Sequence, residues 1–178
     1  MILTGPPGAG KSTIAEILTR DAGRPSVHLH ADDFFRRYIR AGFVAPWTPE
    51  AHGQNATVMS ALAAAAFAYA AGSYWVVVDG MVGPWFLDPF RAVARARELP
   101  LDYVVLRPQR ETAEMRATDR RTHDLTDLTV VATMHRQFAD LGSLEHLALD
   151  STHLTPDATA AQVRALVASG AVRLDTAA

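Results

Sequence analysis

The sequence predicts an α/β fold, a five-stranded parallel sheet with helices on both faces. Three observations predict it. Strand-like apolar runs alternate with helix-like runs along all 178 residues, the order expected of parallel strands joined by crossover helices. A glycine-rich run, Gly5 to Gly10, stands between the first strand and the first helix. No internal repeat and no linker interrupts the pattern, so residues 1–178 read as one domain.

The elements follow in order. Met1-Ile2-Leu3 is a short apolar strand, and Lys11 to about Asp21 is a helix closed by Gly23. Ser26 to His30 reads as the second strand and Asp33 to Arg40 as a helix rich in Phe and Arg. Ala41 to Trp47 is irregular. Thr48-Pro49 then opens a long helix, Thr as N-cap and Pro at the first helical position. Its apolar stripe holds Val58, Met59, Leu62, Ala66 and Tyr69. Tyr74 to Asp79 is the third strand, and Asp88-Pro89 repeats the cap-and-proline signature for a helix to about Glu98. Leu101 to Leu106 is the fourth strand, followed by a charged helix from about Arg110 to Asp119. Arg120 to Asp127 lacks apolar periodicity and reads as a loop. Val130, Val131, Met134, Phe138 and Leu141 mark the next helix face. His146 to Leu149 is the fifth strand, and Thr155-Pro156 caps a last helix to about Ser169.

Composition narrows the function. With no cysteine, neither a disulfide framework nor a cysteine-ligated metal site exists. A net charge of −2 supplies no basic footprint for nucleic acid, so no nucleic-acid partner is expected. From Val58 to Val78 no residue is charged, but the stretch divides at Gly72-Ser73 into an alanine-rich helix and a β-branched strand. It therefore reads as core rather than as a membrane span. No signal peptide precedes the glycine loop, and the chain is expected in the cytoplasm, as monomer or homodimer. Of its 17 basic residues Lys11 is the single lysine, the rest being arginine. A lysine kept in so arginine-rich a chain points to a need for a compact ammonium.

Lys11 closes the strongest motif. Gly5-Pro6-Pro7-Gly8-Ala9-Gly10-Lys11-Ser12 matches the phosphate-loop pattern G-x-x-x-x-G-K-[ST] without mismatch. Phosphates need backbone N–H groups turned inward and a helix N-terminus behind them. Gly8, Ala9, Gly10, Lys11, Ser12 and Thr13 are thus candidate nucleotide contacts, in a P-loop NTPase fold. Lys11 would reach the β- and γ-phosphates of ATP, and Ser12 would hold Mg2+. The D-x-x-G and N-K-x-D signatures of GTPase switches are both missing.

At the end of the second strand the chain reads His28-Leu29-His30-Ala31-Asp32-Asp33-Phe34. Here it resembles the small phosphate-loop kinases related to chloramphenicol phosphotransferase, gluconate kinase and shikimate kinase. It is also similar to the kinase half of polynucleotide kinases, which share an Asp-Asp-aromatic signature. The resemblance implies an ATP-dependent kinase with an alcohol acceptor, an antibiotic, sugar acid or nucleoside. It implies Asp32 as the base that accepts the hydroxyl proton and Asp33 as a group that orients substrate. Read as strand residues, the two carboxylates would point to opposite sides; either one is also a ready helix cap. Asp79, ending a buried strand, is a Mg2+ candidate beside Ser12, or the first residue of an Asp-Gly turn. The resemblance further implies a lid at about 116–127, with Arg116 beside the adenine and Arg120 or Arg121 on the transferring phosphoryl group. Thr152 and His153 would frame the adenine edge. A nucleoside monophosphate kinase, or an ATP-binding regulatory module, is the alternative reading.

The acceptor pocket is expected among the aromatic residues that follow the second and third strands. Phe34, Phe35, Arg36, Arg37, Tyr38, Phe43 and Trp47 lie in the first group, Trp85 and Phe86 in the second. Both groups meet at the carboxyl ends of the strands, where open α/β sheets bind ligands. Arg37, Trp47 and Trp85 are the substrate candidates alongside Asp33, while Phe34 and Phe43 are expected to close the core. His28 and His30, on one strand face, read as a hydrogen-bonded pair rather than a metal site.

Overall fold

The computed structural model describes residues 1–118 and 128–176. Its strands are β1 (Ile2–Thr4), β2 (Ser26–His30), β3 (Trp75–Asp79), β4 (Tyr103–Leu106) and β5 (Ala148–Leu149). They form one all-parallel sheet in the order β2-β3-β1-β4-β5. The helices are α1 (Lys11–Arg20), α2 (Ala31–Arg36), α3 (His52–Ala71), α4 (Asp88–Ala96), α5 (Arg110–Thr118), α6 (Leu128–Gln137) and α7 (Pro156–Ser169). This is the P-loop NTPase fold.

The strand order sorts the helices into layers. The β1-to-β2 crossover runs one way along the sheet, and the β2-to-β3 and β3-to-β4 crossovers run the other way. Right-handed connections therefore put α1 on one face and α3 and α4 on the opposite one. Packing agrees, α1 lying against α7 and α3 against α4. Val76, Val77, Val78, Val104 and Val105 are buried between the layers, as β-branched strands covered on both faces must be. Among the described residues no helix is long and apolar enough to cross a membrane. The uncharged run divides as its composition requires, α3 ending at Ala71 and β3 starting at Trp75.

Several boundaries differ from expectation. α2 starts two residues early, at Ala31, and stops at Arg36 rather than Arg40. Its first turn contains Asp32 and Asp33, where carboxylates suit the positive helix end. It stops because the N–H groups of Arg37 and Tyr38 both close onto the Asp33 carbonyl, at 2.9 and 3.2 Å. Thr48-Pro49 opens a 3-10 turn, Pro49–Ala51, with α3 starting only at His52. The fourth strand begins at Tyr103, because Asp102 is drawn into an antiparallel bridge with Arg173. The segment before β5 is a 3-10 stretch, Gly142–Leu147, which leaves that strand two residues long. At α7 the cap is as expected, the Thr155 hydroxyl accepting from Ala158 N at 3.2 Å. Tyr69 is a correction: it stands at the α3 surface, edge-on to Tyr74. Phe43 is another, since its ring is 45% exposed rather than in the core. Phe34 packs partly buried against the core. The expected loop from Arg120 to Asp127 lies outside the described residues.

Candidate active site

β1 runs through the middle of the sheet and delivers the glycine loop to its carboxyl edge. Gly8 adopts φ +78, and a Cβ there would sit 1.9 Å from the Ala113 carbonyl of α5. Glycine at this position lets the loop lie flat on α5. The Ala9 N–H turns back to Pro6 O at 3.2 Å, and Ile14 N makes the first helical bond, to Gly10 O at 3.0 Å. The N–H groups of Lys11, Ser12 and Thr13 precede that bond and form the donor end of α1. The Lys11 ammonium curls over the loop and donates to Pro6 O at 3.0 Å.

β3 lies beside β1 and ends in Asp79, in register with Leu3 on one side and His30 on the other. The Asp79 side chain is 1% exposed. His28 Nε2 donates to its Oδ1 at 2.9 Å, and His30 Nε2 stands 3.7 Å from Oδ2. His30 Nε2 also shares a hydrogen bond of 3.1 Å with Ser12 Oγ. His30 thus lies between the phosphate loop and the β3 acid, and His28 holds the other oxygen of that acid. Burial pushes the Asp79 carboxyl up, but the His28 hydrogen bond, the nearby Ser12 hydroxyl and the two imidazoles together pull it below its ordinary value. Its Oδ2 has no hydrogen-bond partner. A buried, unsatisfied carboxylate oxygen beside a serine hydroxyl suits a hard cation such as Mg2+.

After Asp79 the chain must clear α2. Gly80 has φ +152, and a Cβ on it would meet Ala31 Cβ at 2.4 Å. This close approach sets the first turn of α2 against the end of β3 and brings Asp32 to the same cavity as the phosphate loop. The cavity measures about 630 Å³. Gly8, Lys11, Ser12, His30, Asp32 and Asp79 line its phosphate side. Phe35, Phe43, Trp47, Met59, Trp85 and Phe86 line the other. Trp47 and Trp85 are 47% and 48% exposed, their remaining surface packed into the wall. The Trp85 ring lies 5.8 Å from that of Phe138 and 6.1 Å from that of Phe86.

Other candidates lie elsewhere. On α2, Asp33 and Arg37 approach each other at 3.7 Å on an outer face, and neither lines the cavity. Consecutive helical residues differ by about 100° in direction, so Asp32, itself solvent-exposed, lines the open cavity while Asp33 does not. Arg36, next to Arg37 in sequence, does line the cavity. Thr13 is exposed on α1, away from the cavity wall. Arg116 Nη2 donates to the carbonyls of Ser151 and Thr152, both at 3.3 Å, joining α5 to the loop after β5. Thr152 is buried, and its hydroxyl accepts from Gln109 N at 2.8 Å, while His153 is exposed. Those two residues and Arg116 therefore share one neighbourhood, apart from the cavity lining. Arg120 and Arg121, and most of the expected lid at 116–127, lie outside the described residues. Sequence reasoning missed His30, Asn55 and Met59 as cavity residues. The alternation of His28 and His30 was visible, but the strand register that sets His30 beside Asp79 was not.

A nucleotide-binding loop, a buried acid on the neighbouring strand and a second acid facing both across one cavity define a P-loop protein of kinase-like build. Residues 1–141 match a family described as AAA domain, AAA_33, and the chain belongs to that family. No curated protein matches it in sequence. Among solved structures it is similar to a sugar kinase from Janibacter sp. HTCC2649, at 21% identity and a TM-score of 0.63, over 93% of this chain and 91% of that one. A gluconokinase from Sinorhizobium meliloti 1021 aligns at 20% identity and a TM-score of 0.65, covering 96% and 91% of the two chains. The tunicamycin resistance protein of Deinococcus radiodurans aligns at 17% identity and a TM-score of 0.65, covering 93% and 94%. At these identities the likeness is one of fold.

Proposed function

We propose that this chain is an ATP-dependent phosphotransferase that moves the γ-phosphoryl group to a hydroxyl of a small, neutral, ring-bearing molecule. The observation that carries the reading is that one cavity is lined by the phosphate loop and Asp32 on one side and by aromatic rings on the other. A carboxylate facing a phosphate loop suits a base for an alcohol. Aromatic walls with few polar groups suit an uncharged organic acceptor. Two of the similar structures, a sugar kinase and a gluconokinase, point to phosphoryl transfer as well.

In this reading the donor end of α1 and the Lys11 ammonium hold the triphosphate and meet charge that develops on the transferring group. The acceptor oxygen bonds to the γ-phosphorus as the bond to the bridging oxygen breaks, ADP leaves, and the hydroxyl proton passes to the Asp32 carboxylate. Ser12 and Asp79 would hold Mg2+, which when bound neutralises charge on the phosphate oxygens. Trp47 and Trp85 stack on the acceptor and exclude water from the cavity. Arg116, Thr152 and His153 take the base of the nucleotide.

A nucleoside monophosphate kinase is less well supported, because a second phosphate needs an arginine clamp. Of Arg36, Arg37 and Arg40, only Arg36 lines the cavity. The test is ADP release with ATP and Mg2+ against nucleosides, hydroxylated antibiotics, sugar acids and nucleoside monophosphates. Neutral acceptors should raise ADP release, and Asp32→Asn should lower turnover by about 10²–10⁴-fold while ATP still binds. ATP binding with no response to any acceptor would overturn the reading in favour of a regulatory nucleotide module.

A further inference from the structure

The proposed transfer uses neither His28 nor His30, yet each ring bonds to a residue that would hold Mg2+. Alternation along β2 puts the two rings on one side of the strand, 6.2 Å apart. Pairing with β3 sets His28 opposite Val77 and His30 opposite Asp79. His30 is also the N-cap residue of α2, a position where a side chain commonly turns back to the first helical N–H groups. Its ring makes no such bond. It turns instead to the phosphate loop, where it lines the cavity and Nε2 meets Ser12 Oγ at 3.1 Å.

The two imidazoles are not a metal site by themselves. Among the described residues no group of three from His, Cys, Asp and Glu could hold an ion. What each ring faces fixes what it can do. Asp79 Oδ1 is a carboxylate oxygen and can only accept, so His28 Nε2, 2.9 Å away, carries a proton. Ser12 Oγ is different, with one proton to give and lone pairs to offer. To bind a cation it must turn a lone pair to the ion and send its proton to an acceptor elsewhere. His30 Nε2 is the acceptor within reach. The same nitrogen stands 3.7 Å from Asp79 Oδ2, too far for a hydrogen bond, and that oxygen keeps its lone pairs.

We propose that His30 is a positioning residue for the cation site: its unprotonated Nε2 takes the Ser12 hydroxyl proton and leaves the Ser12 lone pairs to Mg2+. His28 is its counterpart, the Nε2–H fixing Asp79 through Oδ1 and keeping Oδ2 for the same ion. The assignment rests on the proposed function for Ser12 and Asp79 as the residues that hold Mg2+, and on nothing about the acceptor. Two histidines on one strand face thus take opposite roles, one donor and one acceptor. A glutamine amide can replace the accepting nitrogen of His30, whereas a hydrocarbon side chain cannot.

Nitrogen NMR reads the two rings directly, because protonated and bare ring nitrogens differ in chemical shift. In the nucleotide-free protein His28 is expected as the Nε2–H form and His30 as the Nδ1–H form. Calorimetry then compares ATP binding in Mg2+ with ATP binding in EDTA, no acceptor being present. His30→Phe should cut the strengthening that Mg2+ gives by about 10–100-fold, with metal-free binding within about twofold of wild type. His30→Gln should keep most of the strengthening. If circular dichroism shows His30→Phe to be unfolded, His30→Leu takes its place. The proposal is overturned if His30 Nε2 carries the proton, or if Mg2+ does not strengthen ATP binding to wild type. It is equally overturned if the Mg2+ effect survives in His30→Phe, if glutamine loses as much as phenylalanine, or if metal-free binding falls in step. The expected loss in His30→Phe, with no ADP release for any acceptor, would overturn the phosphotransferase reading alone. Acceptor-dependent ADP release by wild type, with the Mg2+ effect unchanged in His30→Phe, would overturn this assignment alone.

Discussion

The two ends of the cavity are built by different means. At the phosphate end the backbone does the shaping. Gly8 rests on the Ala113 carbonyl and Gly80 on Ala31, with no room at either place for a methyl group. At the acceptor end side chains do it: Phe43 and Trp47 on a loop and Trp85 on the 3-10 turn Pro84–Phe86 stand about half exposed, and the Gln54 and Asn55 amides hold that loop to α3. Under the proposed function, the phosphate end would hold the triphosphate with a backbone that has no room for a side chain, and the acceptor end could change its ligand by exchanging one ring for another. Chemistry would then be held rigid and specificity left adjustable, with Asp32 at the junction.

The sharpest way to break this contrast is to add a methyl group at one end and remove a ring at the other. Gly8→Ala places a Cβ 1.9 Å from a backbone oxygen at φ +78, and neither the oxygen nor the helix behind it can yield cheaply. Strain of about 2–4 kcal/mol is expected, a fall in Tm of roughly 4–16 °C at this chain length. ATP affinity should fall by at least about a hundredfold, measured by calorimetry. The matching change at the other end is milder. Trp85→Ala removes a ring that packs on Phe86 and Phe138 and faces the cavity. The acceptor KM should rise about tenfold with the ATP KM unchanged. Equal damage to both constants would show that the two ends are not separable.

How far the sequence could be read follows the same division. The phosphate loop was fully legible, because eight consecutive residues, Gly5 to Ser12, carry a backbone requirement as residue identities. The alternating elements were legible for a similar reason, since β-branched runs such as Val76-Val77-Val78 have one comfortable place in a covered parallel sheet. The roles within Asp32-Asp33 were not. Which of two adjacent carboxylates faces inward depends on whether α2 begins at Ala31 or Asp33, and helix starts are uncertain by about that much. The link from His30 to Ser12 and Asp79 needed the register of β2 on β3. Asn55 was invisible as a cavity residue because nothing local marks an asparagine whose amide ties a loop to a helix. Its Nδ2 bond to Pro46 O arises only in the folded chain.

Between the two ends, Asp79 lets the phosphate side be tested through pH. Its carboxyl titrates below the ordinary value in the folded protein, the His28 hydrogen bond, the nearby Ser12 hydroxyl and the two imidazoles together outweighing burial. A depressed folded pKa means that the ionised group stabilises the fold above the unfolded value, near 3.8, and that the contribution disappears as pH falls through the lower folded value. Urea unfolding of wild type and Asp79→Asn should therefore show a gap that narrows as pH falls from about 5 to below about 4. A gap that widened on acidification would mean that burial wins and the carboxyl is held neutral.

The smallest expected effect probes the bracing of the acceptor loop. Gln54→Ala removes both amide bonds to Val44, each worth about 0.5–1.5 kcal/mol, but leaves the Asn55–Pro46 bond, the core and the phosphate loop in place. Because Gln54 is only partly buried, most of this energy should appear as easier local opening rather than as global instability, with Tm lowered by no more than about 4 °C. Amide exchange at Val44 should quicken about tenfold or more, while exchange at Val76, Val77 and Val78 in the sheet stays at the global rate. If Val44 exchanged no faster, the loop would owe its position to the packing of Phe43 and Trp47 alone. The aromatic wall would then be as rigid as the phosphate end, and adjustability would have to come from exchanging residues rather than from movement of the loop.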